Sequence, residues 1–224
     1  MSQSRSKSPY VSAAIFLVLA LVIGMFIVLM PLNGIECNFV FDVQNYAQKT
    51  IGILAFQVLT YSGDFYFWVI FASIYLLYAY FRSRGQFDSA LELAIFLAIT
   101  TALTYAVKMV FARPRPNCPG LKVYDSDIIS SSSYPSGHVS RAAGGFLILS
   151  RGSRIKESLA ATAISLVSVS RIILGAHYLT DVVGGIFLSL AAQRFAYISV
   201  SLLRYKMETS PKRLVFRSKS KKSA

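Results

Sequence analysis

Charge is scarce in this chain, and so are the side chains that most often carry chemistry. Only 15% of the 224 residues are Asp, Glu, Lys or Arg, and only ten are acidic. There are two histidines and two cysteines. Two cysteines cannot build a disulfide framework, and Cys37 and Cys118 have no histidine spacing that would make a zinc site. Asp125-x-Asp127 has metal-like spacing, but no histidine joins it, and it reads as a solvated loop. No small-residue cleavage site follows the first apolar run, so that run is expected to be a retained span rather than a removed signal peptide.

What the chain has instead is apolar length. Hydrophobic residues make up 54% of it and its mean hydropathy is +0.54, too apolar for an ordinary soluble domain of this size. The net charge of +13 would suggest nucleic acid in a soluble protein. In a membrane protein it reads as basic cytoplasmic loops, and no nucleic-acid partner is expected. Apolar stretches fall at 11–31, 65–81, 89–111, 138–150, 157–174 and 178–203. The fourth is short for a span and must borrow flanking residues.

Six spans bring Arg5/Lys7, Arg82/Arg84, Arg151/Arg154/Lys156 and the tail cluster from Arg204 to Lys222 to one side, which the positive-inside rule makes cytoplasmic. The expected fold is therefore all-α: a polytopic membrane protein with six transmembrane helices in one bundle. A short interfacial or re-entrant helix is expected near 41–62, where the apolar core is too short to span. The implied division is a basic cytoplasmic N-terminus (1–10), a membrane domain (11–204) and a basic cytoplasmic tail (205–224). Asp64 is placed to cap the second span. Both cysteines fall in loops on the outer side; a bridge between them and a pair of free thiols both remain open. Ala142, Ala143, Gly144, Gly145 and Gly184-Gly185 are expected to let helices pack closely.

The polar residues inside this apolar frame are concentrated. Lys108 and Arg115 are seven apart, about two helical turns, and Pro114 and Pro116 end the helix. Pro135-Ser136-Gly137-His138 closes a loop and opens a helix, where backbone N–H groups can hold an anion. Ser170-Arg171 leads through five residues to His177, and Asp181 follows four later, at the spacing where helical side chains meet. A carboxylate on one imidazole nitrogen fixes the tautomer and leaves the other nitrogen able to attack. On the six-span topology all of these lie at one membrane depth. Ionisable groups so placed in a membrane protein mark function. Arg113 and Lys122 read differently, as cations snorkelling to the outer headgroups.

Taken together, Lys108-x6-Arg115-Pro116, Pro135-Ser136-Gly137-His138 and Ser170-Arg171-x5-His177-x3-Asp181 resemble the three-part signature of the type 2 phosphatidic acid phosphatase superfamily. Order, spacing and placement all agree, over roughly residues 60–200. The resemblance implies a membrane bundle that hydrolyses phosphate esters without a metal or other cofactor. His177 would be the nucleophile forming a phosphohistidine, Asp181 would orient it, and His138 would be the general acid. Lys108, Arg115, Ser136, Gly137 and Arg171 would hold the phosphoryl oxygens. The superfamily also contains soluble acid phosphatases and vanadium haloperoxidases, which the apolar spans disfavour. The substrate expected on this resemblance is a lipid phosphate at the outer leaflet of the cell membrane, with a polyprenyl diphosphate favoured. Phosphatidate, phosphatidylglycerophosphate and a lipid phosphotransferase reaction are the alternatives.

Overall fold

A computed structural model describes residues 8–30, 32–124 and 132–209. Arg5 and Lys7, the Asp125-x-Asp127 pair and the basic tail from 210 onward lie outside the described residues. Among the described residues there are eight α-helices and no strand. They are α1 (Pro9–Leu29), α2 (Asn33–Thr50), α3 (Ile53–Thr60), α4 (Phe65–Tyr80), α5 (Arg84–Phe111), α6 (Gly137–Ser150), α7 (Arg154–Ile173) and α8 (Leu179–Thr209).

Local signals explain most boundaries. Pro9 sits at the first position of α1, where its missing N–H costs nothing. Asp64, Ser83 and Ser153 cap α4, α5 and α7 by accepting from the backbone N–H groups of Tyr66, Gln86 and Lys156. The chain leaves α5 through Ala112 in a left-handed conformation (φ 42°) just before Pro114.

Three helices, α1, α5 and α8, are each long and apolar enough to cross a membrane. The turn and helix from Ile53 to Gly63 make a fourth candidate together with α4, from which they bend by 47°. α6 has 14 residues, about 21 Å of rise, less than the hydrocarbon thickness. The apolar exterior fits a lipid surround: on α1 only Ala13, Ala20 and Gly24 are buried, while Val18, Val22 and Phe26 face outward.

The interior is built where α4, α5, α6 and α8 meet, around Trp68, Leu93, Phe96, Ile148 and Ala192. Gly144 lies directly against Phe96 and Gly145 against Trp68, so the small residues of α6 do admit close packing. α1 packs along α8 and joins the core through Ala20, beside Val107, Tyr134 and Leu188.

The region before α4 departs from expectation. In place of one short helix near 41–62 there are two, and the first already begins at Asn33. The break falls at Gly52, whose φ of 87° suits glycine. α2 carries few apolar residues in sequence, yet Val40 packs against Val139, Ile172 and Tyr178. Cys37 lies within α2 rather than in a loop, and it is bonded to Cys118 with 5.6 Å between the Cα atoms. The free-thiol alternative is thereby set aside.

Candidate active site

α5, α6, α7 and α8 run so that the C-terminal ends of α5 and α7 meet the N-terminal ends of α6 and α8. Hydrogen bonds stitch these ends together. The Ser136 N–H donates to the Asp181 carbonyl at 3.0 Å, and the Ser140 hydroxyl donates to the Gly185 carbonyl at 3.0 Å. A methyl group on Gly185 would lie 2.8 Å from the Ser136 carbonyl, so glycine is needed for the approach. His177 lies in the turn between α7 and α8. Gly175 makes that turn at φ 68° and sits against the Lys122 carbonyl.

The expected site residues converge. Lys108, Arg115, Gly137 and His177 line one cavity of about 290 Å³. Ser136, His138, Arg171 and Asp181 are buried around it. Lys108 also donates from Nζ to the Ser132 carbonyl. The Ser136 hydroxyl is buried without a hydrogen-bond partner among the described residues, a state that costs free energy unless a ligand satisfies it.

His177 Nδ1 lies 3.5 Å from Asp181 Oδ2, longer than a good hydrogen bond but close enough for the carboxylate to orient the ring. Burial, with the charges of Arg171, Lys108 and Arg115 next, holds the His177 imidazole well below its usual range. It is therefore neutral and able to attack at ordinary pH.

Asp181 does more than face His177. Its Oδ2 accepts from the Tyr178 N–H at 2.9 Å, half of a capping box at the start of α8. Its Oδ1 accepts from Arg113 at 2.7 Å. Arg113 does not snorkel. It is 4% exposed, donates to Glu36 at 2.5 Å and to Thr180 at 2.7 Å, and lies over the Tyr178 ring at 4.0 Å. The apolar matrix leaves a guanidinium near the bundle end no cheaper place than between two carboxylates. Lys122 is exposed, as a surface cation would be.

Other neighbours were not apparent in the sequence. The Thr60 hydroxyl accepts from Arg171 at 2.8 Å. Arg141, one turn after Gly137, lines the cavity and donates to the Gly63 carbonyl at 3.1 Å. Asp64 lines it too, 4.0 Å from His138 Nε2. Nothing in the spacing of Thr60 or Arg141 points to the site. Asp64 signals only its cap. Among the described residues no three His, Cys, Asp or Glu side chains group as a metal site would require.

The sequence model of the PAP2 superfamily matches residues 89–205, more than half of the chain. The chain belongs to the PAP2 superfamily. Two solved structures share its architecture. One is the first transmembrane PAP2 type phosphatidylglycerolphosphate phosphatase from Bacillus subtilis, at 22% identity and a TM-score of 0.68, covering 89% of this chain and 98% of that one. The other is Aquifex aeolicus LpxE, at 22% identity and a TM-score of 0.59, covering 70% of this chain and 92% of that one. At that identity the likeness concerns the fold, which is that of a membrane PAP2 protein. The PAP2 match spans all three motifs but not α1 to α4, which supply Glu36, Thr60 and Asp64.

Proposed function

We propose that this PAP2 protein is a metal-independent lipid phosphatase that removes a phosphate or diphosphate headgroup through a phosphohistidine on His177. One observation carries the reading. The cation-lined cavity shares Phe65 and Thr101 with an apolar groove of about 480 Å³ between α4 and α5, lined by Val69, Ala72, Leu76, Leu97 and Ala98. An anionic headgroup and a lipid tail thus have adjoining places.

The chemistry follows from the residues. His177 Nε2 attacks phosphorus while Asp181 steadies the ring from Nδ1. Lys108, Arg115 and Arg171, with the Ser136 hydroxyl and the Gly137 backbone, take up the charge on the equatorial oxygens. Such fixed charges supply most of the catalysis in phosphoryl transfer. His138 protonates the leaving oxygen, then activates water to hydrolyse the phosphoenzyme.

The membrane domain is read as 11–204 with six spans, α3 bending into α4 as an elbow, and with basic cytoplasmic ends at 1–10 and 205–224. The outer side is favoured for the site by the Lys/Arg clusters. It is favoured also by the Cys37–Cys118 bond, since disulfides persist in oxidising compartments. The apolar groove beside the cavity suits a lipid tail, and on the family resemblance a polyprenyl diphosphate at the outer leaflet of the cell membrane is the favoured substrate.

The test is phosphate release by the purified protein from polyprenyl diphosphate, phosphatidate and phosphatidylglycerophosphate, the last because the Bacillus subtilis neighbour is named for it. Release is expected to continue in EDTA and to stop with vanadate, which can adopt the five-coordinate geometry of in-line attack. Loss of turnover in EDTA with recovery on adding magnesium would refute the mechanism. Phosphate passing to an added alcohol faster than to water would make the protein a phosphotransferase.

A further inference from the structure

The elbow between α3 and α4, residues 60–64, forms a wall of the site that the three motifs do not include. It precedes the stretch matched by the PAP2 superfamily. Three of its groups face cations or an imidazole of the site. The Thr60 hydroxyl accepts from Arg171 at 2.8 Å, the Gly63 carbonyl accepts from Arg141 at 3.1 Å, and Asp64 Oδ2 lies 4.0 Å from His138 Nε2. The backbone here is pressed onto His138. A methyl group on Gly63 would fall 2.9 Å from both the Cβ and the carbonyl oxygen of His138, so glycine alone allows the approach. The other oxygen of Asp64 is occupied: Oδ1 accepts from the Tyr66 N–H at 2.7 Å and caps α4. That bond fixes the carboxylate and directs Oδ2 at His138.

We propose that Asp64 is a positioning residue for His138, setting a negative charge 4.0 Å from Nε2 that balances the imidazolium which donates the proton. This rests on the reading of His138 as general acid. Each histidine then has a carboxylate beside it: Asp181 Oδ2 lies 3.5 Å from His177 Nδ1, and Asp64 Oδ2 lies 4.0 Å from His138 Nε2. A second carboxylate is needed because His138 must carry positive charge in a place already supplied with Lys108, Arg115, Arg141 and Arg171.

The proton count is simple. As the bond from His177 Nε2 to phosphorus forms, the bond from phosphorus to the lipid oxygen breaks and its electron pair goes to that oxygen. The oxygen takes the proton of His138, and the lipid alcohol, or lipid monophosphate from a diphosphate, leaves with His138 neutral. Water then attacks phosphorus, His138 takes a proton from it, the bond to His177 breaks, and inorganic phosphate departs. Asp64 exchanges no proton in either step.

Asp64→Asn tests this cleanly, because Asn caps a helix as well as Asp and only the charge is lost. The purified full chain is assayed on a lipid phosphate, whose alkoxide leaves poorly, and on p-nitrophenyl phosphate, whose phenolate needs little proton donation. The ratio of kcat on the first to kcat on the second is expected to fall ~10-fold or more, in the same direction as the larger fall for His138→Ala, with KM little changed. In the double variant the Asp64 change is expected to add no further loss, since it acts through a side chain already gone. Equal losses on the two substrates, complete inactivity on both included, would make Asp64 structural and overturn the proposal, as would additive losses in the double variant. Failure of His138→Ala itself to discriminate would remove the acid role of His138 and the proposal with it. Discrimination by His138→Ala but not by Asp64→Asn would remove the role of Asp64 alone.

Discussion

Arg113→Met separates two accounts of the same arginine. A cation snorkelling to the headgroups contributes about 0–1 kcal/mol through any ion pair it makes, as exposed pairs do. The structure puts Arg113 between Asp181, fully buried, and Glu36, 7% exposed, with hydrogen bonds of 2.7 and 2.5 Å to the two carboxylates. Removing the arginine leaves two buried carboxylates facing each other across an apolar gap. Breaking one buried pair costs about 3–5 kcal/mol, and at about 2–4 °C per kcal/mol for a chain of this size the melting temperature should drop by about 6–20 °C. The assay is thermal unfolding of the purified protein in detergent, followed by circular dichroism. Adding Glu36→Gln should return part of the loss, because it removes one of the two stranded charges. A shift under about 2 °C, within what a surface pair contributes, would refute the buried-clamp reasoning. Activity should fall with stability, since Asp181 loses the partner that holds it beside His177.

Two further outcomes are expected. Because burial and the surrounding cations hold His177 neutral, the acid limb of kcat/KM should lie below the ordinary imidazole value of about 6.5, since activity is lost only when falling pH protonates the nucleophile. Lys108→Met should move that limb to higher pH, and a wild-type limb at or above 6.5 would contradict the assignment. Cysteines introduced in 120–130 should react with an impermeant reagent in intact cells, and those in 208–220 only after lysis. The native pair, being bonded, stays silent, and labelling of the tail alone would reverse the topology and the leaflet of the substrate.

The motif residues were legible because short spacings at helix ends bring them together. His177 and Asp181 meet because they are four apart at a helix start. Pro135 to His138 opens α6, with proline fixing φ just ahead of the helix and Ser136 at its cap position. The apolar runs matched α1, α4, α6 and α7 closely, while α5 begins at Arg84 and α8 continues to Thr209, both beyond the apolar stretch. The rest depended on distant packing. Arg113 looks in sequence like any arginine beyond a helix end; its partner Glu36 is 77 residues earlier, on a helix with too few apolar residues to announce itself. The Cys37–Cys118 bond was undecided for the same reason, since only the seating of α2 on the loop after α5 brings residues 81 apart into range. Asp64 was readable as a cap through Tyr66, a local contact, and unreadable as a neighbour of His138, which is not local.

These distant contacts bear on the proposal that one histidine attacks and the other donates. A cradle built for an anion tolerates a carboxylate only where that carboxylate answers a positive charge. Asp181 divides its charge between Arg113 at 2.7 Å and His177 Nδ1 at 3.5 Å. The arginine takes the closer contact, so Asp181 can steer the His177 ring while its pull on a second proton is weak. Asp64 spends one oxygen on a neutral backbone N–H and turns the other to His138. Its negative charge is therefore less compensated where it meets the imidazole. The two His–Asp pairs become unequal through Arg113. Exchanging the roles of the two histidines would require moving that arginine from Asp181 to Asp64.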